Sequence, residues 1–150
     1  MMTHEINAIK KCCLYASDFH LEMILLPYIR ERLGKSEFIV LTQNDLSSTI
    51  RLLLDRVNLK EQEKKSILEF NWKPNLNINI EEINDKIKKN HKIEFIVNGD
   101  FDYVKKINND LKLLGNSNFK IIDCLNINDK NLNLNKIKDE YKEFINTSKI

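Results

Sequence analysis

Three glycines and two prolines are all that punctuate the 150 residues. So few turn-formers exclude collagen-like repeats, Gly-rich phosphate loops in series and flexible multi-domain strings. Aromatic residues make up 8% of the chain, and none interleaves with basic residues as a base-stacking surface requires. Charge of one sign is scarce too: 24 basic side chains oppose 22 acidic ones, for a net +2. Bulk charge therefore draws the chain towards no nucleic acid. No apolar run approaches the length of a membrane span, and residues 1–9 carry no apolar export segment. The three cysteines are odd in number, and the neighbours Cys12 and Cys13 would point to opposite faces of a strand. These absences predict a soluble, cytoplasmic protein with reduced thiols, engaging neither nucleic acid nor membrane.

What is present describes one well-patterned domain. With 42% hydrophobic and 31% charged residues, a chain of this length buries roughly 70% of its unfolded surface without staples. Asn, Ile and Lys occur 20 times each; their codons are all rich in A and T, so single surface Asn residues carry little meaning. The spacing predicts strands over 11–16, 37–42, 92–98 and 119–126. Between them, helical periodicity predicts a strongly apolar helix over 19–33 with Gly34 at its C-cap and a kink at Pro27. Leu46, Ile50, Leu53, Leu54 and Val57 fall at helical spacing. Capping boxes are expected at Asn58 with Glu61 and at Asn79 with Glu82. Further helices carry Phe101, Val104, Ile107 and Leu111, and finally Ile137, Tyr141, Phe144 and Ile145. Residues 71–79, Asn-rich and broken by Pro74, form the one linker-like stretch. Strands alternating with helices predict a single three-layer αβα domain over 1–150. The expected sheet is mainly parallel and four-stranded, in the order 2-1-3-4.

In such sheets ligands gather at the C-terminal strand ends. Ser17, Asp18, Asn44, Asp45, Asn98 and Asp100 are therefore the candidate ligand-binding residues. Asp18, Asp45 and Asp100 could hold a divalent cation; the plainer reading makes them helix N-caps. No G-x-x-x-x-G-K-[ST] or G-x-G-x-x-G pattern occurs, so a standard nucleotide-hydrolysing site is excluded. His4, His20 and His91 share no zinc spacing, and Asp18, His20 and Glu22 fall on different faces of a helix. Cys12, Cys13 and Cys124 sit in apolar strands, as small buried hydrophobes do. No catalytic residue, metal or cofactor is assigned. The first helix is apolar around most of its circumference, which marks Ile24 and Tyr28, with Trp72, as interface candidates. Either a homodimer or protein partner covers them, or the 71–79 connector does.

The strand ending in Cys12-Cys-Leu-Tyr15, the helix carrying Leu26-Pro-Tyr28 and Leu33-Gly34, and the strand Phe38-Ile-Val-Leu41 resemble one family. It is the MEDS family, the methanogen and methylotroph sensory domains of RecA-like fold. The likeness covers the first third of the chain, to about Val57. Lys10-Lys11 stand where that family usually has a histidine, and its closing segment has no match around Cys124. The resemblance implies a sensory or regulatory module without catalysis, attached to a signalling output. The leading expectation is thus a non-enzymatic module that senses a small polar ligand and acts through protein contacts. The alternative is a small metal-dependent enzyme using the strand-end carboxylates on a phosphorylated substrate.

Overall fold

The computed structural model describes residues 9–75, 77–89, 92–114 and 119–145; His4 and His91 lie outside them. Five strands form one sheet: β1 (Ile9–Tyr15), β2 (Glu37–Thr42), β3 (Ile93–Gly99), β4 (Phe119–Asn126) and β5 (Glu143–Ile145). Their order is β2-β3-β4-β1-β5, and every pairing is parallel. The helices are α1 (Asp18–Arg32), α2 (Ser47–Leu54), α3 (Glu61–Leu68), α4 (Ile80–Lys89), α5 (Phe101–Leu111) and α6 (Leu134–Glu140).

Alternation along the strands sends successive side chains to opposite faces. On one face Cys13, Tyr15, Val40 and Ile96 pack with Leu25 and Ile29 of α1, Ile50 of α2 and Ile67 of α3. On the other, Cys12, Phe95, Val97 and Ile121 pack with Ile83 of α4, Ile107 of α5 and Ile137 of α6. The three-layer αβα class is thus as the sequence predicts.

The strand count and order are not. β2 lies beside β3 instead of β1, and a fifth strand is added. All seven residues of β3 are buried, so it takes an inner position and leaves β2 at the edge. The last helix stops at Glu140; the chain then extends, and Glu143, Phe144 and Ile145 pair with Lys11, Cys12 and Cys13. That short strand closes an edge of β1 whose backbone groups would otherwise lack partners.

From β1 the chain moves to the far edge at β2, then returns through β3 and β4 to β5. Parallel crossovers keep one hand, so the covering helices must change face where the direction reverses. Residues 71–75 and 77–79 make that change, between α3 on one face and α4 on the other, with Pro74 and Asn75 at the β2 edge. Asn75 N donates to Thr42 O at 2.7 Å, and Trp72 Nε1 donates to Ile67 O at 2.7 Å. Phe38, Phe70 and Trp72 form a chain of ring contacts at 5.8 and 6.2 Å.

Ile24, Tyr28 and Trp72, the interface candidates, are 3, 8 and 3% exposed; Tyr28 meets Phe38 edge to face, and Ile24 and Tyr28 lie beside Phe144 and Ile145 of β5. Pro27 sits within an uninterrupted α1. It and Met23, whose carbonyl it leaves unpaired, both lie on the exposed side, where water serves that carbonyl. Gly34 follows with φ +83°, a left-handed conformation suited to glycine. The Asn79–Glu82 contact forms as expected, at 3.2 Å. The earlier box is displaced by two residues: Lys60 is the N-cap of α3, and its N–H donates to Glu63 Oε1 at 3.0 Å. No helix among the described residues is long and apolar enough to cross a membrane.

If Trp72 pins the connector, Trp72→Ala costs about 3–5 kcal/mol. Trp72→Phe, which removes mainly the bond to Ile67, costs about 1 kcal/mol. Urea titration of the two variants checks that ranking.

Candidate functional site

At the C-terminal edge of the sheet the polar side chains bond to one another. Asn98, fully buried, donates from Nδ2 to the Tyr15 hydroxyl at 2.7 Å and accepts from Thr42 Oγ1 at 2.9 Å. Asn44 Nδ2 approaches the same Asn98 oxygen at 3.5 Å. Burial pushes the Tyr15 hydroxyl well above the usual phenol range, so it serves as a neutral partner. Gln43 and Asp100 bond reciprocally: Asp100 N donates to Gln43 Oε1 at 2.8 Å, and Gln43 Nε2 donates to Asp100 Oδ2 at 3.2 Å. A Cβ at Gly99 would stand 2.5 Å from Tyr103 Cδ2 and 2.9 Å from Gln43, so this close approach requires glycine.

The carboxylates are occupied locally. Asp100 Oδ1 accepts from Tyr103 N at 2.8 Å and caps α5. Asp45 accepts from Ser47 N at 2.9 Å and from its hydroxyl at 2.5 Å, bonds that hold its carboxyl below the usual range. Ser17, not Asp18, caps α1 by accepting from His20 N at 3.2 Å. Asp18 lies in the first turn of α1, where a negative charge suits the helix dipole. The structure thus brings Asn44 and Asn98 together, joins Asp100 to Gln43, and leaves Ser17, Asp18 and Asp45 in separate local roles. Among the described residues no group of His, Cys, Asp or Glu is arranged to hold a metal ion.

The N-terminal edge is different, and the sequence reading overlooked it. A cavity of about 540 Å³ opens there between the end of α1 and the starts of β3 and β4. Arg32, Lys35, Lys92 and Lys120 line it, against Glu31 and Glu94. Glu94 is 1% exposed. Its Oε1 accepts from the Tyr28 hydroxyl, while Oε2 makes no hydrogen bond and has Arg32 Nε at 3.4 Å. The Arg32 guanidinium lies over the Tyr28 ring, 3.8 Å from its centroid. Burial, then the bond to Glu94, drives the Tyr28 hydroxyl upward, so it stays the donor. Lys11 completes the cluster, donating to the Tyr28 hydroxyl at 3.4 Å and pairing with Glu143 at 3.6 Å. Among the described residues Lys35, Lys92 and Lys120 form no ion pair. One signal existed in the sequence: Glu94 is an acid inside an otherwise apolar strand, and such a residue needs a buried partner.

Two other carboxyls are buried. Asp123 accepts from Asn108 Nδ2 at 2.8 Å and from the Tyr141 hydroxyl at 2.5 Å; burial raises it. Glu22 is fully buried between α1 and α2, accepting from the Thr49 hydroxyl through Oε2, while Oε1 has no hydrogen-bond partner among the described residues. The thiols of Cys12 and Cys124 are also raised by burial, as inert core cysteines are.

Compared with protein-family models, curated proteins and solved structures, the chain matches none.

Burial pushes the Glu22 carboxyl from an ordinary 4.5 up to about 7. The folded state therefore holds this proton more tightly than the unfolded chain. Its stabilising contribution is fully present below about pH 4.5 and is lost as the pH rises through about 7. Glu22→Gln keeps the neutral shape, flattens that decline and raises stability above pH 7 by about 2–3 kcal/mol. Thermal melts of both proteins across pH 4–8 check this; parallel profiles would contradict it.

Proposed function

We propose that this chain is a non-enzymatic, ligand-sensing α/β module that regulates through protein contacts. Its ligand is a small polar molecule carrying a phosphate or carboxylate, held in the cavity at the N-terminal strand ends. The observation that carries this reading is the charge distribution there. Among the described residues Lys35, Lys92 and Lys120 form no ion pair, and they line the cavity together with Glu94, whose Oε2 lacks a hydrogen bond and has Arg32 Nε at 3.4 Å. An anionic group answers the lysines.

Two further features support the absence of catalysis. The carboxylates at the opposite edge serve as caps and cross-links, which counts against the alternative of a metal-dependent enzyme. The cysteines are buried in the core, which suits a reducing cytoplasm. The likeness to MEDS sensory domains spans β1 to α2 and agrees in kind: it implies a RecA-like sensor whose output passes to another protein. Ligand binding at the end of α1 would reach the rest of the molecule through Arg32, Tyr28 and Glu94, which link α1 to the middle of the sheet.

Thermal melts with inorganic pyrophosphate at constant ionic strength test the reading. Saturation well above Kd raises Tm by about 2–6 °C, and Lys35→Ala/Lys120→Ala abolishes the shift. An equal shift in the double variant, or pyrophosphate hydrolysis lost on Asp45→Asn/Asp100→Asn, would overturn it.

A further inference from the structure

Ile24 and Tyr28 face inward, so the open side of α1 is a different one. From Asp18 to Ile29 the exposed residues are Phe19, Met23 and Pro27, and no others. Steps of four residues set them in one line along the helix. Phe19 is 50% and Met23 38% exposed. The water-facing side of a helix packed on a sheet normally carries charge, yet this line carries none. Charge begins only at the two ends of α1: Asp18 in the first turn, and Arg30 with Glu31 and Arg32 in the last.

A hollow of about 210 Å³ adjoins the line, with Met23 and Pro27 lining it from α1 and Phe144 and Ile145 from β5. The charged residues at its rim pair among themselves, Lys11 with Glu143 and Arg32 with Glu31, both at 3.6 Å. The hollow therefore presents no excess of either sign. Arg30 Nε lies 3.6 Å from Glu63, but the Arg30 side chain stays 53% exposed, so further guanidinium donors remain open. An apolar face with an acid at one end and a net base at the other is complementary to itself when turned end over end.

We propose that α1 packs against α1 of a second copy of this chain, antiparallel, about a two-fold axis beside Met23. In that arrangement Met23 meets itself, and Phe19 of each copy lies opposite Pro27 of the other, over the hollow. An apolar space of about 150 Å³ already takes a benzene ring, so the hollow accepts the phenyl group and removes it from water. The same rotation sets Asp18 of one copy near Arg30 of the other, twice, and opposes the two helix dipoles. A parallel pairing would set acid against acid. Two-fold contacts in which one patch meets itself are the commonest in soluble oligomers. The face is small beside the standard interface of about 1,600 Å², so the dimer is weak, with Kd on the order of 10 µM. Phe19, Met23, Pro27 and Phe144 do not line the ligand cavity, so the inference stands if that reading fails.

Sedimentation equilibrium of the full chain, from about 1 to 300 µM, reads the outcome. The mass rises from that of one chain to that of two. Met23→Lys, at an exposed position, keeps the wild-type Tm and stays monomeric throughout. Asp18→Arg weakens dimerisation about tenfold, and so does Arg30→Asp; both swaps in one chain restore it to within about threefold. Apolar adhesion alone would show no such rescue, and circular dichroism checks that every variant stays folded. A single-chain mass at every concentration would overturn the proposal. The rate at which peroxide oxidises Met23 then reassigns the face: slow oxidation to cover by this chain's own residues, fast oxidation to a different protein. A dimer that Met23→Lys leaves intact, or a double swap that associates no better than either single one, would overturn it as well.

Discussion

The passage of the chain over the β2 edge is the constraint on which much of this molecule depends. A parallel sheet that reverses its direction of travel must move its helices from one face to the other, because the crossovers keep their hand. Residues 71–75 and 77–79 make that move. In doing so they place Trp72 against the core that covers α1, pair Asn75 with Thr42, and bring the ends of α3 and α4 to opposite sides of one strand edge.

The two ends of the sheet divide the polar work. At the C-terminal ends Asn98 ties Tyr15 of β1 to Thr42 of β2 across β3, and Gln43 ties the end of β2 to the start of α5. Buried networks of this kind are firm when every member is satisfied. At the N-terminal ends satisfaction is incomplete. Glu94 has one oxygen without a hydrogen bond, met by Arg32 Nε at 3.4 Å, and among the described residues Lys35, Lys92 and Lys120 of the same cavity form no ion pair. The hydrogen-bonded network is thus complete at the end where α/β sheets usually place their chemistry and incomplete at the other.

Local signals account for what the sequence made legible. Continuous apolar runs located four strands to within two residues, and alternation with helical spacing established the layered class. Strand order was not legible, because neighbour choice depends on which strand best tolerates burial on both faces, a comparison among distant segments. β5 was missed for a related reason: Tyr141, Phe144 and Ile145 fit a helical stripe, and the unpaired edge of β1 outweighed that local preference. The strand-end residues were correctly placed at one edge, yet their spacing could not separate a cap from a ligand. Glu94 was legible as an anomaly. Its partners Tyr28 and Arg32 lie some sixty residues earlier in sequence, so only the fold reveals the cluster.

The central claim is that ligand recognition resides at the N-terminal strand ends and not at the C-terminal ones. Backbone amide shifts recorded during titration with pyrophosphate test it most directly. The account predicts the largest changes at Lys35, Ser36, Lys92 and Lys120, with the Arg32 side-chain Nε following. Changes centred on Asn44, Asp45, Asn98 and Asp100, with the cavity residues unmoved, would contradict it.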